Sequence, residues 1–292
     1  MDQAQSLREL AAGQNRKLSE GKTDSARIIT VCSGKGGVGK SNFTLNFALT
    51  LKSLGKKVLL FDADIGMANL DVLMGVSPKY NLYHLLGREA PIEEIIQLGP
   101  DHLPFIAGGS GMEELFSLSD RDLDYFTSQI SDIADEMDYI LFDTGAGLSK
   151  ETMKFIVSAD ECFVVTTPEP TAITDAYALM KVVHNSHPQV EFRLIVNQAS
   201  DIREANATSD KIRMAAKRFL QMDINYLGYI SSDVHVVQAV KKQVPFSMAY
   251  PQSAASKDVH RLAMKYLSSD RSYASSSTEG IKGFISRWLR RK

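Results

Sequence analysis

The 292-residue sequence predicts a doubly wound α/β fold: a mostly parallel sheet of seven to eight strands with helices on both faces. Three observations predict it. From Arg27 onward, β-rich runs alternate with helical patterns. Several of those runs are almost uninterrupted apolar residues, as expected where helices cover both faces of a parallel sheet. A glycine-rich stretch, Ser33 to Ser41, joins the first run to the first helix.

In chain order, residues 1–26 form a polar segment in which Asp2 to Leu18 reads as a short helix with Leu7, Leu10, Ala11 and Leu18 apolar. The body, 27–267, carries strands at RIITVCS (27–33), KVLLFDAD (57–64), HLPFIAG (102–108), DYILFDTG (138–145), ECFVVTTP (161–168), FRLIVNQ (192–198) and NYLGYIS (225–231). Helices are expected at about 40–54, 119–136, 149–158, 171–185, 201–220 and 253–268, with shorter ones near 69–74, 81–86 and 91–97. Right-handed crossovers connect such strands. A serine-rich linker, 268–279, then tethers a short tail, GIKGFISRWLRRK (280–292), which is expected to move freely.

Apolar content of 44% and charged content of 23% are those of a soluble globular protein. The net charge is −2, but five of the 33 Lys+Arg sit in the tail, so the body is distinctly acidic against 35 Asp+Glu. That balance argues against broad nucleic-acid binding, and no specific nucleic acid is expected. The two cysteines, Cys32 and Cys162, fall in buried strands as packing residues, and no C-x-x-C pair suggests a cluster or zinc site. His184 and His187 flank a turn and make no useful ligand pair. Without a signal peptide, a membrane-spanning run or a lipidation motif, the sequence predicts a cytoplasmic protein whose membrane contact is peripheral.

The chemistry begins at SGKGGVGKS, which satisfies G-x-x-x-x-G-K-[ST] through Gly34, Gly39, Lys40 and Ser41. Gly36, Gly37, Val38 and Asn42 complete the segment. Curled backbone and a helix N-terminus would present N–H groups to the phosphates of ATP. Lys40 would reach the β- and γ-phosphates, and the Ser41 hydroxyl would ligate Mg²⁺. The run FDADIGMANLD places Asp62 and Asp64 two apart, on one side of a strand, where both carboxylates can face the phosphates. The alternative is that one or both cap the turn that follows. ILFDTGAG is an apolar strand ending in Asp143, of Walker B form, with Gly145 to Gly147 free to sense the γ-phosphate. GGSGMEEL looks like a second phosphate loop, but Ser110 with Glu113 reads better as a helix capping box.

With Lys35 included, the loop reads K-G-G-x-G-K-[ST], and the body resembles the MinD/ParA ATPases, which carry this deviant Walker A signature. The resemblance implies a MinD-like P-loop NTPase fold and slow hydrolysis of ATP within a homodimer. It also implies that Lys35 reaches the partner's nucleotide in the manner of an arginine finger. It gives Asp64 the role of positioning water and Asp62 and Asp143 the role of holding Mg²⁺ through water. Asn197 matches the adenine-reading asparagine, although it could equally cap the next helix. At the N-terminus, DQAQSLR matches a D-Q-A-x-x-L-R motif through Gln3, Leu7 and Arg8. That motif is similar to the one in the FlhG (FleN, YlxH) family of flagellar-number regulators. There it stimulates the GTPase FlhF, and flagellar C-ring proteins (FliM, FliN or FliY) are further implied partners.

In the tail, Ile281, Phe284, Ile285, Trp288 and Leu289 draw one apolar stripe, flanked by Lys282, Arg287, Arg290 and Arg291. One such helix binds anionic lipid marginally, whereas two on a dimer bind together. This is similar to the membrane-targeting helix of MinD and FlhG proteins. Two other functions fit less well: a ParA-like DNA-partitioning ATPase, and a regulator that binds ATP and a transcription factor without turnover.

Overall fold

The computed structural model describes residues 25–64, 69–108, 120–270 and 280–289. Gln3, Leu7 and Arg8, the Ser110–Glu113 capping box, nearly all of the linker, and Arg290 and Arg291 lie outside the described residues. Eight strands form one sheet: β1 (Arg27–Ser33), β2 (Val58–Ala63), β3 (Ile96–Leu98), β4 (Pro104–Ile106), β5 (Tyr139–Ala146), β6 (Glu161–Thr166), β7 (Phe192–Ala199) and β8 (Asn225–Ser231). Their order is β3-β4-β2-β5-β1-β6-β7-β8. Neighbours are parallel except the edge pair β3–β4.

The helices are α1 (Lys40–Ser53), α2 (Leu70–Met74), α3 (Leu82–Leu86), α4 (Ile92–Ile95), α5 (Asp120–Ala134), α6 (Lys150–Ser158), α7 (Pro170–Ser186), α8 (Ile202–Leu220), α9 (Val234–Lys242), α10 (Phe246–Ala249), α11 (Ala254–Asp270) and α12 (Gly280–Leu289). Alternation along β1 sorts the core into two layers. Ile29 and Val31 meet Phe43 and Phe47 of α1 and Leu262 of α11. Ile28 packs on the opposite face with Phe142 and Phe155. Both faces are covered, which is why the strands read as continuous apolar runs.

Two stretches differ from the sequence expectation. Residues 91–97 were expected to be helical, but only α4 is, and the chain then turns into β3. A short apolar run does not carry enough periodicity to separate the two. Between β8 and α11, where the sequence analysis assigns no element, the chain folds into α9 and α10. Valine-rich VHVVQAVKK has poor helix propensity. Asp233 nonetheless caps its start by accepting the His235 N–H, and Ala239 is buried while Val234 and Val237 are exposed. The last helix of the body also runs to Asp270, past the expected boundary at 267.

The tail is not free. Helix α12 lies docked on α5, α6 and β1, with Ile281, Phe284, Ile285 and Trp288 each at most 5% exposed. The Phe284 ring stacks on Phe142 with centroids 4.8 Å apart and planes 9° apart. Trp288 meets Phe155 at 6.2 Å, and Lys154 Nζ lies 5.2 Å from the indole. Arg287 fastens the helix: its Nε donates to the Ser158 carbonyl at 2.9 Å and its Nη2 to Asp160 Oδ1 at 3.0 Å. The other Asp160 oxygen accepts the Ile28 N–H at 2.8 Å. Burial pushes the Asp160 carboxyl up, and the Ile28 N–H and the two guanidinium groups of Arg287 and Arg27 draw it back.

Each buried tail side chain contributes about 1.5–3 kcal/mol, while ordering each residue costs about 1–2 kcal/mol. Docking therefore rests on a small difference, and one ion pair matters to it. Arg287→Gln should weaken docking by about 1–2 kcal/mol, a factor of roughly 5–30 in the equilibrium. Trp288 is the only tryptophan in the chain, so its emission should shift to the red and become more open to acrylamide. Unchanged emission and quenching would remove Arg287 as the fastener.

Candidate functional site

The phosphate loop leaves β1 at Ser33, whose hydroxyl donates to the Lys35 carbonyl at 3.0 Å. Two glycines are required by what surrounds them. A Cβ on Gly34 would fall 2.3 Å from the Asp175 backbone of α7. Gly39 has φ +85, and a Cβ there would fall 2.3 Å from Asn197 Nδ2. Helix α1 starts at the next residue, so its N-terminal N–H groups open onto the loop. The site is an open cavity of about 740 Å³, lined among others by Gly36, Gly37, Ser41, Asn42, Asp64 and Val240. Val38 is buried beneath the loop.

Lys40 and Asp143 form a buried ion pair at 2.9 Å. Thr44 Oγ1 donates to the same carboxylate oxygen, Oδ1, at 2.8 Å. Lys40 Nζ also lies 3.3 Å from the Ser41 hydroxyl. The second oxygen, Asp143 Oδ2, is buried with no hydrogen-bond partner. A buried carboxylate oxygen without a donor, beside a serine hydroxyl, suits a hydrated magnesium ion, which takes oxygen ligands and keeps several waters. Ser41 and Asp143 thus fit the metal role expected of them.

Asp62 does not share that arrangement. Its Oδ1 accepts the Asp64 N–H at 3.2 Å, and its Oδ2 accepts those of Asn69 and Leu70 at 3.3 Å each. It ties the end of β2 to the start of α2, which is the capping alternative that the sequence leaves open for it. Burial, then the charge of Asp143, pushes its carboxyl up to about 7, against the pull of the Asp64 and Leu70 N–H groups and Lys40. Asp64 does line the cavity. Its Oδ1 is 3.3 Å from where a Cβ on Gly145 would sit, so the carboxylate lies over the carboxyl end of β5.

Lys35 lies folded back on its own chain, with Nζ 2.8 Å from Glu169 Oε2 and 2.9 Å from Thr171 Oγ1 at the start of α7. Asn197 sits under the loop rather than in its mouth. Its Nδ2 donates to the Val38 carbonyl at 2.8 Å, and its Oδ1 accepts the Gln198 N–H at 2.9 Å. The amide that the resemblance matches to the adenine-reading asparagine also braces the loop.

Sequence reasoning missed Thr44, Glu169, Thr171 and the start of α6. Thr44 was findable, since it stands four residues after Lys40 on one helix face. Glu169 follows a strand's carboxyl end, where ligands of such sheets gather. Ser149, Glu151 and Thr152 line the cavity because Ser149 caps α6 there, accepting the Thr152 N–H at 3.0 Å. Cys32 and Cys162 are buried packing residues as expected, with sulfurs 3.3 Å apart.

The AAA domain family matches residues 26–196. Antiactivator FleN of Pseudomonas aeruginosa is 36% identical over 245 residues, 84% of this chain and 88% of that protein. Flagellum site-determining protein YlxH of Helicobacter pylori is 36% identical over 292 residues, 99% and 98% of the two chains. Among solved structures, the cell division ATPase MinD of Pyrococcus furiosus superposes with a TM-score of 0.68 at 27% identity, covering 83% of this chain and 99% of that one. MinD of Pyrococcus horikoshii, complexed with Mg-ADP, superposes with a TM-score of 0.67 at 25% identity, covering 87% and 99%.

A carboxyl whose folded pKa is raised holds its proton in the native state while the unfolded chain loses it. Asp62 therefore contributes stability that is present below its ordinary value of 3.8 and lost as pH rises toward about 7. Asp62→Asn keeps the shape of the cap without the charge. In magnesium-free buffer its melting temperature, relative to wild type, should rise between pH 5 and pH 8. A difference that stays flat with pH would show that Asp62 is ionised throughout.

Proposed function

We infer how this chain works from what it is: it belongs to the FlhG (FleN/YlxH) group of MinD/ParA-type ATPases. It hydrolyses ATP with Mg²⁺, and its activity serves flagellar regulation. We propose that ATP drives homodimerisation, that the dimer releases α12 to the membrane, and that hydrolysis returns it to the body.

The backbone of Gly36 to Ser41 and the N-terminus of α1 hold the phosphates, with Lys40 supplying positive charge to the β- and γ-phosphates. Ser41 and Asp143 would hold Mg²⁺, which when bound would supply positive charge to the phosphoryl oxygens. Asp64 orients a water whose oxygen attacks the γ-phosphorus as the bond to the ADP oxygen breaks in line. Catalysis of this kind is mainly positioning and charge stabilisation. Lys35 must leave Glu169 and Thr171 to reach the nucleotide of a second copy, so the dimer is the state in which it acts.

The observation that supports the switch is the double use of α6. Its first turn, Ser149 to Thr152, lines the nucleotide cavity, and its last residue, Ser158, holds Arg287 of the tail. Movement at one end of so short a helix is felt at the other. Among the described residues no helix is long and apolar enough to cross a membrane. Membrane contact is then that of an amphipathic helix on anionic lipid at the inner face of the cell membrane. One tail binds marginally and two bind together. The N-terminal Gln3, Leu7 and Arg8 stimulate FlhF in this reading, and FliM, FliN or FliY are the C-ring partners.

Pelleting with anionic vesicles tests the switch. The full chain should sediment with ATP and stay soluble with ADP or without nucleotide. Deleting residues 280–292 should abolish sedimentation, and Asp64→Ala should keep the protein on vesicles after ATP is limiting. Equal sedimentation in all three nucleotide states would overturn it. The FlhF role is tested separately: Gln3→Ala with Arg8→Ala should return the FlhF GTPase rate to its unstimulated level, and an undiminished rate would refute the assignment.

A further inference from the structure

The two basic side chains of α12 are used differently. Lys282 is exposed and forms no ion pair among the described residues, whereas Arg287 is committed to the body. Its guanidinium reaches the end of α6, where Nε donates to the Ser158 carbonyl at 2.9 Å and Nη2 to Asp160 Oδ1 at 3.0 Å. Asp160 stands between α6 and β6, and its side chain is 12% exposed against 33% for that of Arg287. The Ile28 N–H holds the other Asp160 oxygen at 2.8 Å, which fixes the carboxylate and leaves one oxygen for the tail.

Arg287 immediately precedes Trp288 and borders the apolar stripe. On a bilayer, that border of an amphipathic helix lies level with the headgroups. A guanidinium binds carboxylate and phosphate alike, through charge-assisted N–H bonds. Arg287 therefore has an oxyanion in either place, the Asp160 carboxylate on the body or a phosphate on the membrane, and it cannot serve both. Asp160 is not stranded by the exchange. It keeps the Ile28 N–H and the charge of Arg27, which also draws its carboxyl down.

We propose that Asp160 is an internal substitute for an anionic lipid headgroup: it occupies Arg287 in the docked tail, and membrane binding requires that a lipid phosphate take this guanidinium over. The proposal rests on the reading of α12 as a membrane helix and adds to it the group on the body that competes with lipid. The two tail cations then act unequally. Lys282 gains an anionic neighbour on lipid and gives up no ion pair. Arg287 gains one anion and gives up another, so its charge adds little net to membrane binding. The acid that opposes lipid most directly is on the body, at Asp160.

The test uses the full chain without nucleotide, vesicles of phosphatidylglycerol mixed with phosphatidylcholine, and Trp288 emission as the readout of docking. Asp160→Asn keeps an oxygen for the Ile28 N–H and every tail charge, but turns an amide N–H toward Arg287. Its ADP affinity should stay at the wild-type level, and without vesicles its emission should shift to the red. Its affinity for the vesicles should rise about fivefold or more, the size of one lost charge-assisted bond. Arg287→Gln loses an anion on both sides, so it should bind vesicles less tightly than Asp160→Asn and no less tightly than wild type. Lys282→Gln should bind less tightly than wild type. Inorganic phosphate alone should leave wild-type emission unchanged, because it offers nothing to the apolar stripe; undocking by phosphate would overturn lipid as the competitor. Wild-type emission and pelleting in Asp160→Asn would overturn the exchange, as would Arg287→Gln binding more weakly than wild type. If Asp160→Asn loses ADP affinity, the Arg287→Gln comparison decides alone. A red shift in Asp160→Asn with no gain in pelleting would overturn the exchange together with the membrane reading of the tail.

Discussion

The site is organised around a lysine and an aspartate that have been taken out of water together. Lys40 opens α1 and Asp143 stands near the end of β5, more than a hundred residues apart, yet they meet at 2.9 Å with almost no exposure. Leaving either charge buried without the other would cost about 3–5 kcal/mol. That requirement fixes β1 beside β5 in the sheet, with Val31 opposite Asp143. It also fixes where α1 begins relative to both. Gly34 pressed on α7, Asn197 under the loop and Thr44 on the same carboxylate are the supports that hold this geometry. One Asp143 oxygen is left over by these contacts, and it is the one that suits a metal.

Much of this was legible in the residues themselves. The phosphate loop is local, since spacing and glycine content carry it, and the apolar runs declare a sheet covered on both faces. The tail's stripe was equally plain, because five residues at helical spacing need no tertiary information. What escaped depends on partners distant in sequence or on competition between preferences. Asp62 and Asp64 look equivalent in FDAD, but the N–H groups of Asp64, Asn69 and Leu70 converge on Asp62, while Asp64 lines the cavity. Valines at 234, 237 and 240 favour a strand individually and a helix only by their spacing, and the cap at Asp233 decides for the helix. The resting contact of Lys35 with Glu169 spans 134 positions, which no local pattern encodes.

The nucleotide site and the seat of the docked tail also share neighbouring residues of one strand. Asp143 pairs with Lys40, which lines the nucleotide cavity, while Phe142, adjacent and on the opposite face, carries the ring on which Phe284 stacks. The sheet itself thus separates a polar compartment from an apolar one by the thickness of a backbone.

The docked tail has a thermodynamic consequence of its own. Were α12 to lift, as the proposed switch requires, the apolar surface uncovered would not be only its stripe. The side chains it packs with, Phe142, Phe155, Ile130 and Ala134, would be uncovered as well. Lipid would take up the stripe and leave those side chains in water, so the work of opening would scale with two surfaces while the gain from the bilayer would scale with one. In the proposed switch the intact protein would therefore be a weaker lipid ligand than its own tail alone. That deficit would set a threshold below which the molecule stays off a bilayer however much of it is available.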